Sequence, residues 1–146
     1  MGSGPTQATE QYFDKGLWGF DGTQWRKLPM LLGFSSQFAQ ENHVANATAG
    51  TNVLNLATVP AGEIWRVSSI AAFDANSVVT AISFGASLTT FTHYLATVDT
   101  PAASVLLLWS GEIVLIAGQL VTCSFYGCTL NDDLYLTACG YKMAVA

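Results

Sequence analysis

The chain has 146 residues, enough for one domain with a core and some appendages but short for two domains. Apolar residues make up 51% and charged residues 10%, against roughly 25% charge in an average soluble domain. A lone monomer would therefore expose much uncharged surface, which favours assembly with partner chains. The formal net charge of −5 and a single basic pair, Arg26-Lys27, argue against a nucleic-acid partner, because phosphate binding needs clustered Lys and Arg.

Residues 1–11 are small and polar and read as an extended tail. They show no basic stretch followed by an apolar run, so no signal peptide is expected. Residues 17–28 (LWGFDGTQWRKL) read as a β-hairpin turning at Asp21-Gly22, a pair that supplies the positive φ angles of a tight turn and would bring Trp18 near Trp25. Residues 29–50 follow as a connector, in which Pro29 disrupts pairing and Met30, Leu31, Leu32 and Phe34 offer apolar contacts. This predicts an N-terminal arm over 1–50 and a β-sandwich domain over 51–146.

No window of the sequence holds a convincing 3.6-residue apolar period. Short runs rich in Val, Ile, Thr and aromatic residues instead recur between Gly, Asn, Asp, Ser and Pro clusters. Strands are predicted near 52–58, 63–73, 78–85, 89–97, 103–109, 112–116, 119–126 and 133–143. Eight strands fit an all-β, jelly-roll-like, two-sheet antiparallel β-sandwich with an extended N-terminal arm and β-hairpin. Residues 104–121 are apolar, but Glu112 and a turn-like Ser110-Gly111 interrupt them. They read as two adjacent buried strands rather than a membrane span, and no membrane partner is expected.

Within 63–73, one face would carry Trp65, Val67, Ala71 and Phe73 and the other Ile64, Arg66, Ile70 and Ala72. Both faces look covered, the second by the arm or a neighbouring subunit. A nine-residue echo links Val59-Pro60-Ala61-Gly62-Glu63 onward with Leu115-Ile116-Ala117-Gly118-Gln119 onward; in each, an Ala-Gly turn launches a strand. The odd cysteine set, Cys123, Cys128 and Cys139, has no C-x-x-C spacing and reads as buried free thiols, with a Cys123 to Cys128 bridge as the alternative.

The chemistry-bearing residues are sparse. His43 and His93 lack the spacing of a metal site. Asp132-Asp133 after Asn131 reads as a capped turn rather than a calcium loop. Asp74, Asp99, Glu63 and Glu112 show no glycosidase-like spacing, and no nucleophile elbow or nucleotide-binding glycine pattern occurs. The expectation is a protein that is not an enzyme and has no cofactor, metal or catalytic residue. Aromatic residues at alternating strand positions serve as core or subunit interface more often than as a sugar platform. Trp18, Phe20, Trp25, Met30, Leu31, Leu32 and Phe34, which fall outside the predicted sandwich, are the candidate subunit-interface residues.

The hairpin Phe20-Asp21-Gly22-Thr23-Gln24-Trp25-Arg26-Lys27-Leu28 resembles the aromatic-Asp-Gly-Thr-x-Trp-x-x-Leu segment near the N-termini of many tailed-phage virion proteins. The segments Val59 to Val67, Trp109-Ser110-Gly111-Glu112 and Gly127 to Leu134 are similar to the β-sandwich body of such small structural proteins. The resemblance implies a virion component assembled in the bacterial host cytoplasm. Its partners would be other copies of itself, as a homo-oligomer with a trimer favoured, and other virion proteins, the major capsid or tail proteins. Capsid decoration or cementing is the leading role. A neck or tail accessory role, or a receptor- or carbohydrate-binding sandwich at the particle surface, is the alternative.

Overall fold

The computed structural model describes residues 36–145 in full and the backbone of 18–20 and 25–27. The chain divides into two compact units, Met1–Ser35 and Ser36–Ala146. In the first unit, β1 (Trp18–Phe20) pairs antiparallel with β2 (Trp25–Lys27), with Phe20 opposite Trp25 and Trp18 opposite Lys27. The Asp21-Gly22 turn lies outside the described residues.

The second unit holds eight strands: β3 (Ser36–Ala47), β4 (Gly50–Asn55), β5 (Glu63–Asp74), β6 (Ala81–Ser87), β7 (Thr92–Asp99), β8 (Leu107–Ile116), β9 (Leu120–Cys128) and β10 (Asp132–Ala144). They form two four-stranded sheets, β3-β10-β5-β8 and β4-β9-β6-β7, and every pairing is antiparallel. Successive strands of the second unit cross between the sheets except at the β6-β7 hairpin, so the chain follows a jelly-roll path. No helix occurs among the described residues.

Apolar side chains alternate into a single core between the sheets. Trp65, Val67, Ile70, Ala72, Leu115, Leu134, Leu136 and Ala138 come from one sheet, and Leu54, Ile82, Phe84, Val121, Cys123 and Phe125 from the other. The eight-strand expectation holds, but two of its members change. The connector expected over 29–50 is, over Ser36–Ala47, the edge strand β3 paired with β10 along its length. It was hidden because its inward positions are partly polar. The Gln40 side-chain oxygen accepts the Ala57 N–H at 3.1 Å, and the Asn42 amide donates to the Asn55 carbonyl at 2.8 Å. These bonds tie the sheet edges together where an apolar stripe would otherwise do so.

Conversely, the two strands expected at 103–109 and 112–116 are one, β8. Ser110-Gly111 marks a bulge, not a turn: pairing steps from Val67–Ile113 to Ser69–Ser110, so β8 carries an extra residue there. A second bulge corrects the faces expected for 63–73. Gly140 pairs with Val67 and Cys139 with Ser69, which leaves Ser68 as the extra residue and shifts the alternation by one. Trp65 and Val67 are therefore followed inward by Ile70, Ala72 and Asp74, while Ala71 and Phe73 turn to the outer face.

The two echoing Ala-Gly turns are neighbours. Gly62 and Gly118 have φ of 81° and 87°, each with the closing hydrogen bond of a tight turn, Glu63 N–H to Pro60 and Gln119 N–H to Ile116. They also bond across to one another, Val59 N–H to the Gln119 carbonyl at 2.8 Å and Gly118 N–H to the Val59 carbonyl at 3.0 Å.

Candidate functional site

Antiparallel register sets out the outer face of the β3-β10-β5-β8 sheet as cross-strand rows. These run Met143–Ile64–Ile116, then Gln37–Tyr141–Arg66–Val114, Ala39–Cys139–Ser69–Ser110, Glu41–Thr137–Ala71–Leu108, and His43–Tyr135–Phe73. The Ala39–Cys139–Ser69–Ser110 row is built of small side chains, and here the face sinks into a shallow trough of about 400 Å3 lined by Ala39, Gln40, Glu41, Ser69, Ala71, Thr137, Ala138 and Cys139. A second hollow of about 390 Å3 continues it past Phe38, Ser68, Gly140 and Tyr141. Along β8 the rim is apolar, with Leu108 64%, Val114 51% and Ile116 52% exposed. Its Glu112 pairs with Arg66 at 2.6 Å, so little net charge remains along this strand.

The last row is an aromatic ladder. His43 stacks on Tyr135 with ring centroids 4.2 Å apart, and Tyr135 stacks on Phe73 at 4.7 Å. With both of its faces occupied, Tyr135 offers no flat surface for a sugar ring. Asp133 anchors the row, bonded to the His43 imidazole and accepting the Tyr135 hydroxyl at 3.2 Å. Burial pushes the Tyr135 phenol up, and the Asp133 charge adds to this.

Behind the ladder, Asp132 points the opposite way from Asp133. It is 1% exposed, and Asp74, at the end of β5, is 3% exposed. The sequence suggests a capped turn at Asp132-Asp133; Asp132 does cap it, through the Thr129 N–H and hydroxyl, and alternation along β10 sends that carboxylate into the molecule. Asp74, Cys128 and Asp132 form the one group of three potential ligand side chains among the described residues, their atoms within 4.8 Å of one another. Protein donors already meet most of these oxygens. Asp74 Oδ1 accepts the Asn76 and Ser77 N–H groups at 3.0 and 3.1 Å, and Asp132 accepts the Thr129 N–H and hydroxyl at 2.6 Å each. The carboxylates Glu63, Asp74, Asp99 and Glu112, considered together from sequence, are not brought together: Glu63 bonds the Trp65 indole and Lys142, and Glu112 bonds Arg66.

The three cysteines are free, Cys123 and Cys128 buried and Cys139 exposed. Cys123 and Cys128 lie on one strand, β9. Five residues of extended chain separate them by about 16 Å, far beyond the roughly 7 Å that a disulfide spans. His93 lies exposed on β7, in the other sheet from His43. Of the candidate interface residues, Trp18, Phe20 and Trp25 fall on β1 and β2; Met30, Leu31, Leu32 and Phe34 lie outside the described residues. No helix among the described residues is long and apolar enough to cross a membrane.

The fold defines the chain as an eight-stranded jelly-roll β-sandwich preceded by a separate N-terminal unit. No protein-family model matches the chain, and no curated protein sequence matches it. Among solved structures, it is similar to a chain of the acid-stable capsid of Helicobacter pylori bacteriophage KHP30, with a TM-score of 0.56 and 15% identity over 74% of this chain and 89% of that one. Looser likenesses include the disulfide-linked pili of Bacillus endospore appendages, with a TM-score of 0.39 and 10% identity over 77% and 94% of the two chains. Another is the N-terminal cellulose-binding domain of Cellulomonas fimi β-1,4-glucanase C, with a TM-score of 0.33 and 13% identity over 74% and 79%.

Proposed function

We propose that this chain is a non-enzymatic structural component of a bacteriophage particle, a decoration or cementing subunit that grips its neighbours through the residues preceding β3. The observation that carries this reading is the jelly-roll strand order, in the fold that the chain shares with a phage capsid chain over 89% of the latter's length. Its surface chemistry supports the same reading. The apolar rim along β8 and a charged content of only 10% suit a subunit whose surface is covered by other subunits.

In this mechanism the sandwich is a rigid block and the N-terminal unit is the grip. Trp18, Phe20 and Trp25 on the hairpin, with Met30, Leu31, Leu32 and Phe34 after it, supply the apolar area buried against neighbouring copies and the shell. At about 25 cal/mol per Å2 of apolar surface buried, repetition around a symmetric ring or shell turns a modest contact into a strong one.

The test is deletion of residues 1–34. The shortened chain should keep the circular dichroism of a β-sandwich and fail to join particles when supplied to an assembling phage. A shortened chain that folds and is incorporated at the normal level would sink the gripping mechanism.

A further inference from the structure

The hydrogen-bond geometry around Asp74 and Asp132 leaves one carboxylate oxygen short of a donor. Both Asp132 oxygens are met by donors: Oδ2 accepts the Thr129 N–H and the Ser77 hydroxyl, the latter at 2.8 Å, and Oδ1 accepts the Thr129 hydroxyl, which leaves one acceptor site free. Ser77 has a single hydroxyl proton, and that proton is committed to Asp132. Asp74 Oδ2 lies 3.4 Å from the same hydroxyl oxygen and completes the network when it carries a proton of its own.

Among the described residues, no cation offsets the pair. The salt bridges among the described residues are His43–Asp133, Arg66–Glu112 and Lys142–Glu63, and neither Asp74 nor Asp132 takes part in one. From β9 the facing titratable group is Cys128, whose thiol is pushed up by burial and stays neutral. Asp133, next in β10, turns to the outer face to meet His43 and Tyr135. The remaining groups facing the pair, Asn76, Ser77 and Thr129, do not titrate.

We propose that Asp74 and Asp132 form a proton-keyed latch, in which one shared proton holds the 75–80 and 129–131 loops together and its loss at higher pH loosens that end of the sandwich. The latch sits where the loops converge. Asn76 donates to the Asn131 carbonyl and accepts the Asp133 N–H, Ala75 N–H bonds Asp133, and the Asp74 carbonyl accepts the Ser104 N–H from the loop before β8. Two buried carboxylates this close cannot both ionise cheaply.

The titration follows from the surroundings. Burial pushes the Asp74 carboxyl above its ordinary value of 3.8, opposed by the Asn76 and Ser77 N–H groups and reinforced by Asp132. Burial also acts against the Asp132 charge, but the bonds from Thr129 and Ser77 outweigh it and hold that carboxyl below 3.8. Stability from the Asp74 proton is therefore fully present below 3.8 and is lost as pH rises through its raised value. That from Asp132 is present above 3.8 and is lost as pH falls through its lowered value. The latch is tightest between the two values, and this holds whether or not the chain belongs to a particle.

The experiment is a 13C-carboxyl NMR titration of the full chain, with melting temperature followed over the same pH range. The Asp74 resonance should titrate above the ordinary carboxylate range, and the melting temperature should fall by several degrees through that titration. Asp74→Asn, which keeps the neutral form at every pH, should lose at least half of this fall. An Asp74 titration at or below the ordinary range in the unaltered chain overturns the latch whether or not the variant folds. So does a fall that persists in Asp74→Asn and disappears in His43→Gln, since that would assign it to the His43–Asp133 pair.

Discussion

Gly140 lies between Phe38 on β3 and Val67 on β5, and its missing side chain lets the Phe38 ring stack on Trp65 at a centroid distance of 4.8 Å. A Cβ at Gly140 would fall 2.0 Å from the Arg66 carbonyl oxygen and 3.0 Å from Phe38 Cε1. Backbone rather than a flexible side chain would have to move, so Gly140→Ala should destabilise the fold by about 3 kcal/mol, read as a lowered urea midpoint. Thiol chemistry offers a second check at this scale. Cys139 is exposed while Cys123 and Cys128 are buried, and burial raises both of the latter thiols. Native protein should therefore give one fast-reacting thiol with Ellman's reagent and the other two only on unfolding; two or more fast thiols would contradict the placement of β9. The sequence pointed to free cysteines, an odd set without C-x-x-C spacing, and left a Cys123 to Cys128 bridge as the alternative, which their places on β9 remove. It did not show that Asp132 and Asp74 meet, since they are 58 positions apart and only the pairing of β10 with β5 unites them.

Strand signals were strongest where alternation is clean, as in β10, and misleading where a bulge or a polar inward face intervenes. Ser110-Gly111 reads as a turn but lies at a bulge, where Gly111 leaves room for the Trp109 ring, since a Cβ there would fall 2.6 Å from Trp109 Cζ2; one strand therefore read as two. The residues of β3 lacked an apolar stripe because Gln40 and Asn42 use hydrogen bonds to hold the opposite sheet. Local composition does not reveal such long-range partners. If β3 is part of the sandwich, a chain beginning at residue 51 should lose cooperative unfolding, while one beginning at Ser36 keeps it. Differential scanning calorimetry separates the two, and a cooperative transition in the 51–146 chain would contradict the role given to β3. Replacing Gln40 with Ala should cost about 1 kcal/mol through the lost bond to Ala57, measured by chemical denaturation.

For the molecule as a whole, the all-β class and the sandwich were legible from strand spacing and the lack of a helical period. The strand order was not, because pairing between distant strands leaves no local mark. Low charge in the sequence points to a covered surface, and the apolar rim along β8 locates part of that surface. The reading as a particle subunit joins this surface to the jelly-roll path and the hairpin-bearing N-terminal unit. It is tested most directly by quantitative mass spectrometry of gradient-purified phage particles from a lysate that contains the chain. The account predicts the chain at a fixed ratio to the major shell protein, retained through salt washing; its absence from intact, infectious particles would contradict the account.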